Sequence, residues 1–307
     1  MPAERSKIHH TYIVGGRPVD AARLPAGLHL VATPIGNLRD ISLRALETLA
    51  AADVIACEDT RVTRHLLDHY GIATTLTPYH EHNAAAARPK LLERLGAGEA
   101  VALVSDAGTP LISDPGYKLV RAAQEAGHTV SAVPGASAAL AALTVAGLPT
   151  DRFFFEGFLP AKDGPRQKRI AELARIPATL ILYESGPRLS RSLAALADGL
   201  GGRQAAICRE LTKLHEEVRR GDLAALARAY ADGAETRGEI VIVVEPPDAD
   251  GAQPSEGEVD ALLRRALQRA SVKDAVSEVA AATGRPRREV YQRALALSED
   301  SGDGAAH

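Results

Sequence analysis

Short apolar runs alternate with helix-length segments from Leu28 onward, and this alternation sets the fold class of the chain. Four runs in the first half have the length and apolar content of buried strands: residues 28–32, 54–57, 101–104 and 130–133. The segments between them carry apolar helical faces, with Ser42 as a possible N-cap and Gly71 and Gly147 where helices would end. Strands separated by helices in this way predict a mainly parallel α/β sheet.

The second half keeps the alternation but changes character near residue 148. Its expected strands are residues 153–155, 179–183, 205–208 and 240–244. Residues 248–257 are polar and contain glycine and proline, which is typical of a linker, and three short helical patterns follow. We therefore expect a flexible leader (residues 1–27), an N-terminal α/β domain (28–148) and a C-terminal α/β domain (149–247). A linker (248–258), a helical appendix (259–297) and a tail (298–307) follow.

Composition excludes several classes of protein. Hydrophobic residues make up 46% of the chain and charged residues 24%, which is ordinary globular usage and excludes wholesale disorder. The most continuous apolar run, residues 136–148, falls short of the roughly 20 residues that a membrane span needs. The N-terminus shows no charged segment followed by an apolar stretch, so we expect no signal peptide, no membrane attachment and a cytoplasmic location. Cys57 and Cys208 are too few for a disulfide framework.

Two loops with glycine and proline follow expected strands. The first is residues 33–37 (TPIGN), and the second is residues 105–110 (SDAGTP) with its continuation through residue 116. Both leave the edge at which α/β sheets bind ligands, and their glycines allow the backbone to approach a ligand closely. Neither loop is a GxGxxG or Walker motif, which disfavours nicotinamide and ATP enzymes of those types. Taken alone, each loop is as consistent with a plain turn as with a site.

Two clusters of ionisable residues also follow strands. Residues 57–61 (CEDTR) place two carboxylates beside an arginine, which suits substrate positioning or proton acceptance, or equally an N-cap at Asp59 with a local ion pair. Residues 209–217 (RELTKLHEE) offer a second such set, or a solvated loop and helix start. No spaced Cys/His cluster exists, so we expect no metal site.

Eight motifs in order carry a resemblance to a known family. They read VATPIGNLRD, CEDTR, SDAGTPLISDPG, VPGASA, FFFEGFLP, YESGPRL, RELTKLHEE and GEIVIVVE. In this order they resemble the ribosomal RNA small subunit methyltransferase I family, which belongs to the tetrapyrrole (corrin/porphyrin) methylase superfamily. The resemblance covers about residues 28–245, and the appendix is similar to the helix-turn-helix-like tail of the same family.

The resemblance implies a homodimer of two-domain α/β chains, with S-adenosylmethionine (SAM) bound in the cleft between the domains. It implies cofactor contacts at nine positions: Pro34, Ala107, Gly108, Thr109, Ile112, Ser137, Ala138, Glu184 and Leu211. Thr109 replaces an aspartate of the tetrapyrrole enzymes, so the role of that carboxylate does not transfer. This chain also reads Gly186-Pro187 where the family commonly has Pro-His.

The activity that the resemblance implies is 2'-O-methylation of a cytidine ribose in the decoding region of 16S rRNA, within the small ribosomal subunit. Proton acceptance and positioning are assigned first to Glu58, Asp59 and Arg61. A second set across the cleft comprises Glu210, Lys213 and His215. No metal is expected, because the sulfonium of SAM is already an activated methyl donor.

An RNA partner requires local positive charge, because the net charge of the chain is −3. Residues 261–293 contain eight Arg or Lys and three acidic residues, which suits phosphate contacts. The alternative is an amphipathic helical tail with a solvated basic face. Two other functions compete with the rRNA enzyme: a SAM-dependent C-methyltransferase of a tetrapyrrole, and an RNA-binding assembly factor without catalysis.

Overall fold

A computed structural model describes residues 10–113, 116–231, 236–247 and 256–300. It contains two α/β domains followed by three helices, which confirms the expected fold class. Most of the expected linker and tail lie outside the described residues, as do residues 1–9 of the expected leader. Within the described residues, no helix has the length and apolar character needed to cross a membrane.

The structure differs from the expected leader at residues 11–20. Here β1 (Thr11–Val14) and β2 (Arg17–Asp20) pair as an antiparallel hairpin. The turn is Gly15-Gly16, and both glycines have positive φ, which a two-residue hairpin turn of this kind needs. Tyr12 is buried in the core of the first domain, so part of the predicted leader belongs to the folded domain.

The first domain contains a five-stranded parallel sheet. Its strands are β3 (Gly27–Val31), β4 (Val54–Cys57), β5 (Leu76–Pro78), β6 (Ala100–Leu103) and β7 (Val130–Val133). Their order is β5-β4-β6-β3-β7, which places β3 beside β6 at the centre. The carboxyl ends of these two strands therefore meet at one edge of the sheet, the edge at which the two glycine loops begin.

Helices cover both faces of this sheet: α1 (Leu43–Ala51) and α2 (Thr60–His69) on one face, and α3 (Ala84–Gly96) and α4 (Tyr117–Glu125) on the other. The last helix of the domain is α5 (Ala138–Ala146). Helix α1 forms as expected, because the Ser42 hydroxyl accepts a hydrogen bond from the Ala45 N–H at 3.1 Å and Leu46 and Leu49 are buried. Helix α5 ends at Gly147 in the left-handed conformation that favours glycine.

The second domain contains a mixed five-stranded sheet. Its elements are β8 (Phe153–Phe158), α6 (Asp163–Leu173), β9 (Thr179–Ser185), α7 (Gly186–Leu200), β10 (Gln204–Arg209), β11 (Glu217–Asp222), α8 (Leu223–Ala229) and β12 (Glu239–Val244). The strand order is β11-β10-β12-β9-β8, and only the pair β8–β9 is parallel. Helices α6, α7 and α8 pack on one face of the sheet.

The other face of the second sheet is covered by α5, the last helix of the first domain. Ala142 and Leu143 of α5 share a buried cluster with Ile181, Cys208 and other residues of the second sheet. The two domains are therefore joined through a common apolar core, which fixes the walls of the cleft between them.

The appendix consists of α9 (Glu256–Leu267), α10 (Val272–Thr283) and α11 (Arg287–Asp300). Its buried cluster contains residues of these helices, including Leu263, Ala275, Val279 and Val290. Three helical patterns were expected here, and three helices are present. Their shared core makes the appendix a small packed unit.

Candidate functional site

The two glycine loops are bonded to each other at the carboxyl edge of the first sheet. The Thr33 N–H donates to the Gly108 carbonyl at 2.9 Å, and the Gly108 N–H donates back to the Thr33 carbonyl at 3.1 Å. The Thr33 hydroxyl also donates to the Ser105 carbonyl at 3.2 Å. Gly108 has φ +79°, a backbone conformation that residues other than glycine rarely adopt. The sequence thus folds these loops into one rigid floor.

A cavity of about 250 Å³ lies above this floor, between the two domains. Its first-domain wall contains Ile35 and Asp106, and its second-domain wall contains Phe158, Tyr183 and Ile240. Eight of the nine residues expected at the cofactor also line it: Ala107, Gly108, Thr109, Ile112, Ser137, Ala138, Glu184 and Leu211. The fold therefore places residues from separate segments of the sequence around one space.

The cavity is narrow beside Gly108, and its lining contains both apolar and polar groups. A Cβ on Gly108 would lie 3.3 Å from Ile35 Cγ2, so a larger residue would crowd the floor. Small residues such as Ala107 and Ala138 leave room, and the Thr109 hydroxyl donates to the Ala136 carbonyl at 3.1 Å, which ties the floor to the segment before α5. Such a cavity suits a ligand with both an apolar and a polar part.

A second cavity, of about 240 Å³, adjoins the first. It contains Pro34, the ninth residue expected at the cofactor. The two cavities share part of their lining: Ile35, Asp106, Ala107, Lys213 and Glu239. The site is thus a pair of adjoining spaces with a common wall.

Glu184 is a buried carboxylate in the wall of the first cavity, only 3% exposed. It accepts hydrogen bonds from the Ser185 N–H at 2.8 Å and from the Ser192 hydroxyl. The Arg188 Nε lies 3.3 Å from Glu184 Oε1. These contacts orient the carboxylate toward the first turns of α7, so its main effect is to hold the start of that helix against the cavity.

The glycine of the Gly186-Pro187 pair is required by packing. A Cβ on Gly186 would lie 2.6 Å from the Thr236 carbonyl carbon and still closer to its oxygen. A backbone group cannot move aside as a side-chain end can. The departure from the family motif therefore allows residue 236 to pack directly on the start of α7.

Lys213 joins two carboxylates at the common wall of the cavities. Its Nζ donates to Glu210 Oε1 at 2.8 Å and to Glu239 Oε2 at 2.6 Å. Burial lowers the pKa of Lys213, but the two carboxylates outweigh burial and raise it above the usual value. Burial likewise raises the pKa of Glu210, and its hydrogen bonds from Lys213 and the Glu239 N–H reverse this and lower it. The lysine is therefore a fixed positive charge.

The loop that carries this cluster has unusual backbone angles. Glu210 and Thr212 have φ +51° and +66°, in the left-handed region that non-glycine residues seldom occupy. In the first domain, Leu111 and Ser113 have φ +73° and +63°. Backbone of this kind persists where the surrounding contacts hold it, and it is found at ligand sites.

The acidic pair of the CEDTR motif lies at the start of α2. The Asp59 carboxylate accepts a hydrogen bond from the Arg61 N–H at 2.8 Å and forms an ion pair with its guanidinium at 2.6 Å. The Arg61 contacts lower the pKa of Asp59 to about 2. Burial, and then the negative charge of Asp106, raise the pKa of Glu58. The Asp59 N–H donates to Asp106 Oδ1 at 2.9 Å, which connects this motif to the cavities.

Comparisons with known proteins identify the family. The family model for Tetrapyrrole (Corrin/Porphyrin) Methylases matches residues 27–227, and the model for the RsmI C-terminal HTH domain matches residues 253–298. A Ribosomal RNA small subunit methyltransferase I of Mesorhizobium japonicum is 53% identical over 95% of this chain and 99% of its own length. This chain belongs to the ribosomal RNA small subunit methyltransferase I family. The resemblance expected from the eight motifs is confirmed.

Other relatives support the same family and fold. The protein of that name from Pseudomonas aeruginosa is 47% identical over 87% of this chain and 96% of its own length. A diphthine synthase structure has a TM-score of 0.56 at 17% identity, covering 71% of this chain and 89% of its own. Uroporphyrin-III C-methyl transferase from Thermus thermophilus, solved with S-adenyl homocysteine, has a TM-score of 0.52 at 21% identity, covering 71% and 97%. At these identities the two structures show a common fold.

The structure separates the catalytic residues expected in this family member into two groups. Glu210 and Lys213 line the first cavity. Glu58, Asp59, Arg61 and His215 are not among the residues that line either of the two cavities. The side chain of Arg61 is 89% exposed, and its ion pair with Asp59 lies at the surface.

Two site residues were given no role by sequence reasoning. Asp106 and Glu239 line both cavities. A signal for Asp106 exists in the sequence, since it stands in the SDAGTP loop one residue before the expected Ala107 contact. Glu239 begins β12 inside the GEIVIVVE motif, and only the pairing of β12 with β9 and β10 brings it to the cleft.

Proposed function

We propose that this protein transfers a methyl group from SAM to the ribose 2'-hydroxyl of a cytidine in the decoding region of 16S rRNA. It acts on the small ribosomal subunit, in the cytoplasm, as a homodimer. The observation that carries the proposal is the interdomain cavity, because residues from several separate segments expected at SAM converge there in a chain whose relatives bear that enzyme's name.

The cavity lining fits SAM. Ile112 and Leu211 give the apolar surface that an adenine ring needs, while the small residues Gly108 and Ala138 leave space for it. Thr109 and Ser137 bring polar groups to the same walls, and Pro34 flanks the opening from the second cavity. When bound, SAM supplies an activated methyl group, so no metal is required.

The protein's own groups position the acceptor. A ribose hydroxyl is a weak nucleophile, and holding it in line with the donor supplies several kcal/mol of rate acceleration. Glu210 and Lys213 stand at the wall where the two cavities meet, and Glu58, Asp59 and Arg61 stand beside Asp106 on the other side. We assign Glu58, Asp59 and Arg61 to positioning of the acceptor, with Glu210, Lys213 and His215 as the second set across the cleft.

The basic appendix supplies the RNA contacts. Arg287 and Arg288 are exposed at the start of α11, and Arg264, Arg265 and Arg269 lie on or just after α9. Phosphate neutralisation by such residues adds affinity without sequence preference. This suits an enzyme whose acceptor is chosen by the shape of an assembled particle.

Methyl transfer from labelled SAM tests the proposal. The acceptors are small subunits that lack the modification, with naked 16S rRNA and uroporphyrinogen III in parallel. Label on one ribose 2'-oxygen of the subunits is the expected result. Label found in the tetrapyrrole alone would identify a tetrapyrrole methylase instead, and the absence of equilibrium SAM binding would favour the assembly factor. Sedimentation of the purified protein checks the dimer.

A further inference from the structure

The second cavity has walls that differ in character. On one side are apolar groups: Pro34 and Leu38 from the segment after β3, and Val62 and Leu66 from α2. On the side shared with the first cavity stand the carboxylate of Asp106 and the ion pair of Lys213 and Glu239. This division suits a ligand with one apolar face and one hydroxyl-bearing edge, as in a nucleoside.

The second cavity, at about 240 Å³, is close in volume to the first and is lined in part by helix α2. Helix α2, which lines this cavity, also carries Arg61 and Arg64, and arginines favour a phosphate-bearing chain.

Asp106 is held at the junction of the two cavities. Its Oδ1 accepts the Asp59 N–H at 2.9 Å, which fixes the carboxylate on the N-terminal side of α2. Within the part of the chain that the structure describes, Oδ2 accepts no hydrogen bond. One oxygen therefore anchors the group, and the other remains available to a ligand hydroxyl.

We infer that the second cavity receives one unstacked ribonucleotide, with its 2'-hydroxyl donating a hydrogen bond to Asp106 at the opening into the first cavity. The inference rests on the proposed function and adds the acceptor site to it. RNA-binding proteins commonly recognise unstacked bases of single-stranded segments, which can be splayed out into a pocket.

The transfer step needs SAM as the methyl donor and Asp106 as the proton acceptor. The hydroxyl oxygen forms a bond to the methyl carbon as the carbon–sulfur bond breaks, and the electron pair of that bond stays on sulfur. The hydroxyl proton passes to the Asp106 carboxylate and then to water. Asp106 thus acts as general base, and the apolar side of the cavity positions the nucleotide.

A substitution that fills the cavity tests this assignment. Val62 lines the second cavity but not the first and is 45% exposed, so Val62→Phe adds volume there without overpacking the core. We expect kcat/KM for small subunits to fall at least about tenfold while the Kd for SAM stays within about twofold, because only the acceptor is displaced. The matched control is Val19→Phe, an exposed valine of the hairpin outside both cavities, which should leave both values unchanged.

Asp106→Asn provides a second measurement, made at saturating SAM in single-turnover assays. A lost general base should lower the rate by about 10²–10⁴-fold. A Val62→Phe enzyme with kcat/KM within twofold of wild type, or an Asp106→Asn enzyme with an unchanged single-turnover rate, would overturn the inference alone. Absence of transfer to subunits by the wild-type protein would overturn the proposed function, and the inference with it.

Discussion

Lys213 of the second domain lies directly over Gly36 of the first. A Cβ on Gly36 would stand 2.9 Å from Lys213 Cε and closer still to Lys213 Cγ. The lysine stem therefore crosses the cleft in contact with the backbone of the first glycine loop. This approach holds the ammonium group between Glu210 and Glu239 at the wall shared by the two cavities.

Gly36→Ala should displace Lys213 and disturb that wall. We expect kcat for methyl transfer to fall by about ten- to a hundredfold, since small misplacements of positioning groups have effects of this size. Steady-state transfer of label from SAM to small subunits measures it. Gly202→Ala is the control, because nothing lies within 4 Å of a Cβ there. Equal losses in the two variants would show that Gly36 has no particular role.

Gly186→Ala should destabilise the second domain. The new Cβ meets the backbone of Thr236, which can relieve the overlap only by moving the chain, and overpacking of this kind costs about 1–3 kcal/mol. Urea unfolding measures the change in the free energy of unfolding. The control, Gly96→Ala, places a Cβ in open space at the end of α3 and should change the free energy of unfolding by much less.

The fold was predictable where packing follows the local pattern. Strands β4 and β7 have the expected bounds, and Ser42 caps α1, because apolar runs and caps are local signals. The edge strands β5 and β11 were not expected. β5 is three residues long, and β11 is rich in charge, so neither shows the apolar run of a central strand.

The hairpin was missed for a different reason. Its Gly-Gly turn is a recognisable signal, but each strand has only four residues, and β2 is exposed throughout. Tyr12 becomes a core residue only through contact with the first domain.

The candidate site was predictable only as far as motifs identify it. Eight residues expected at the cofactor line one cavity, yet the second cavity depends on which side of α2 faces the loop after β3 and on Lys213 crossing from another domain. The positive φ angles of Leu111, Ser113 and Glu210 are likewise imposed by tertiary contacts, because these residues do not favour them.

Glu58 and Asp59 should affect acid stability in opposite directions. The folded pKa of Asp59 is lowered from 3.8 to about 2, so it contributes stability above about pH 4 that is lost as the pH falls toward 2. The folded pKa of Glu58 is raised, so its contribution is present below its usual pKa and is lost as the pH rises through the folded value. Asp59→Asn should therefore reduce the loss of unfolding free energy as the pH falls below about 4. Glu58→Gln should remove the loss that occurs as the pH rises through the folded pKa of Glu58.

Urea unfolding between pH 2 and pH 7 separates the two effects. Each variant is compared with wild type at every pH, and the double variant should show the two changes together. If both single variants shift the curve in the same direction, the opposite pKa shifts of these neighbours are not what governs it.

The appendix should determine the salt dependence of subunit binding. Replacing Arg287 and Arg288 with alanine should weaken binding and reduce the slope of log K against log salt by about one for each phosphate that is no longer neutralised. Filter binding to small subunits at several salt concentrations measures this. The control replaces Arg44 and Arg121, two exposed arginines of the first domain. If the control variant lowers the slope by the same amount, the RNA-binding surface is not specific to the appendix.

The wall shared by the two cavities couples binding in one cavity to binding in the other. Asp106, Ala107, Lys213 and Glu239 face both spaces, so a molecule in either one changes the surroundings of the other. If a bound donor raises the affinity for the acceptor by some factor, then a bound acceptor raises the affinity for the donor by the same factor. A substitution in this shared wall therefore changes the affinity for both ligands at once.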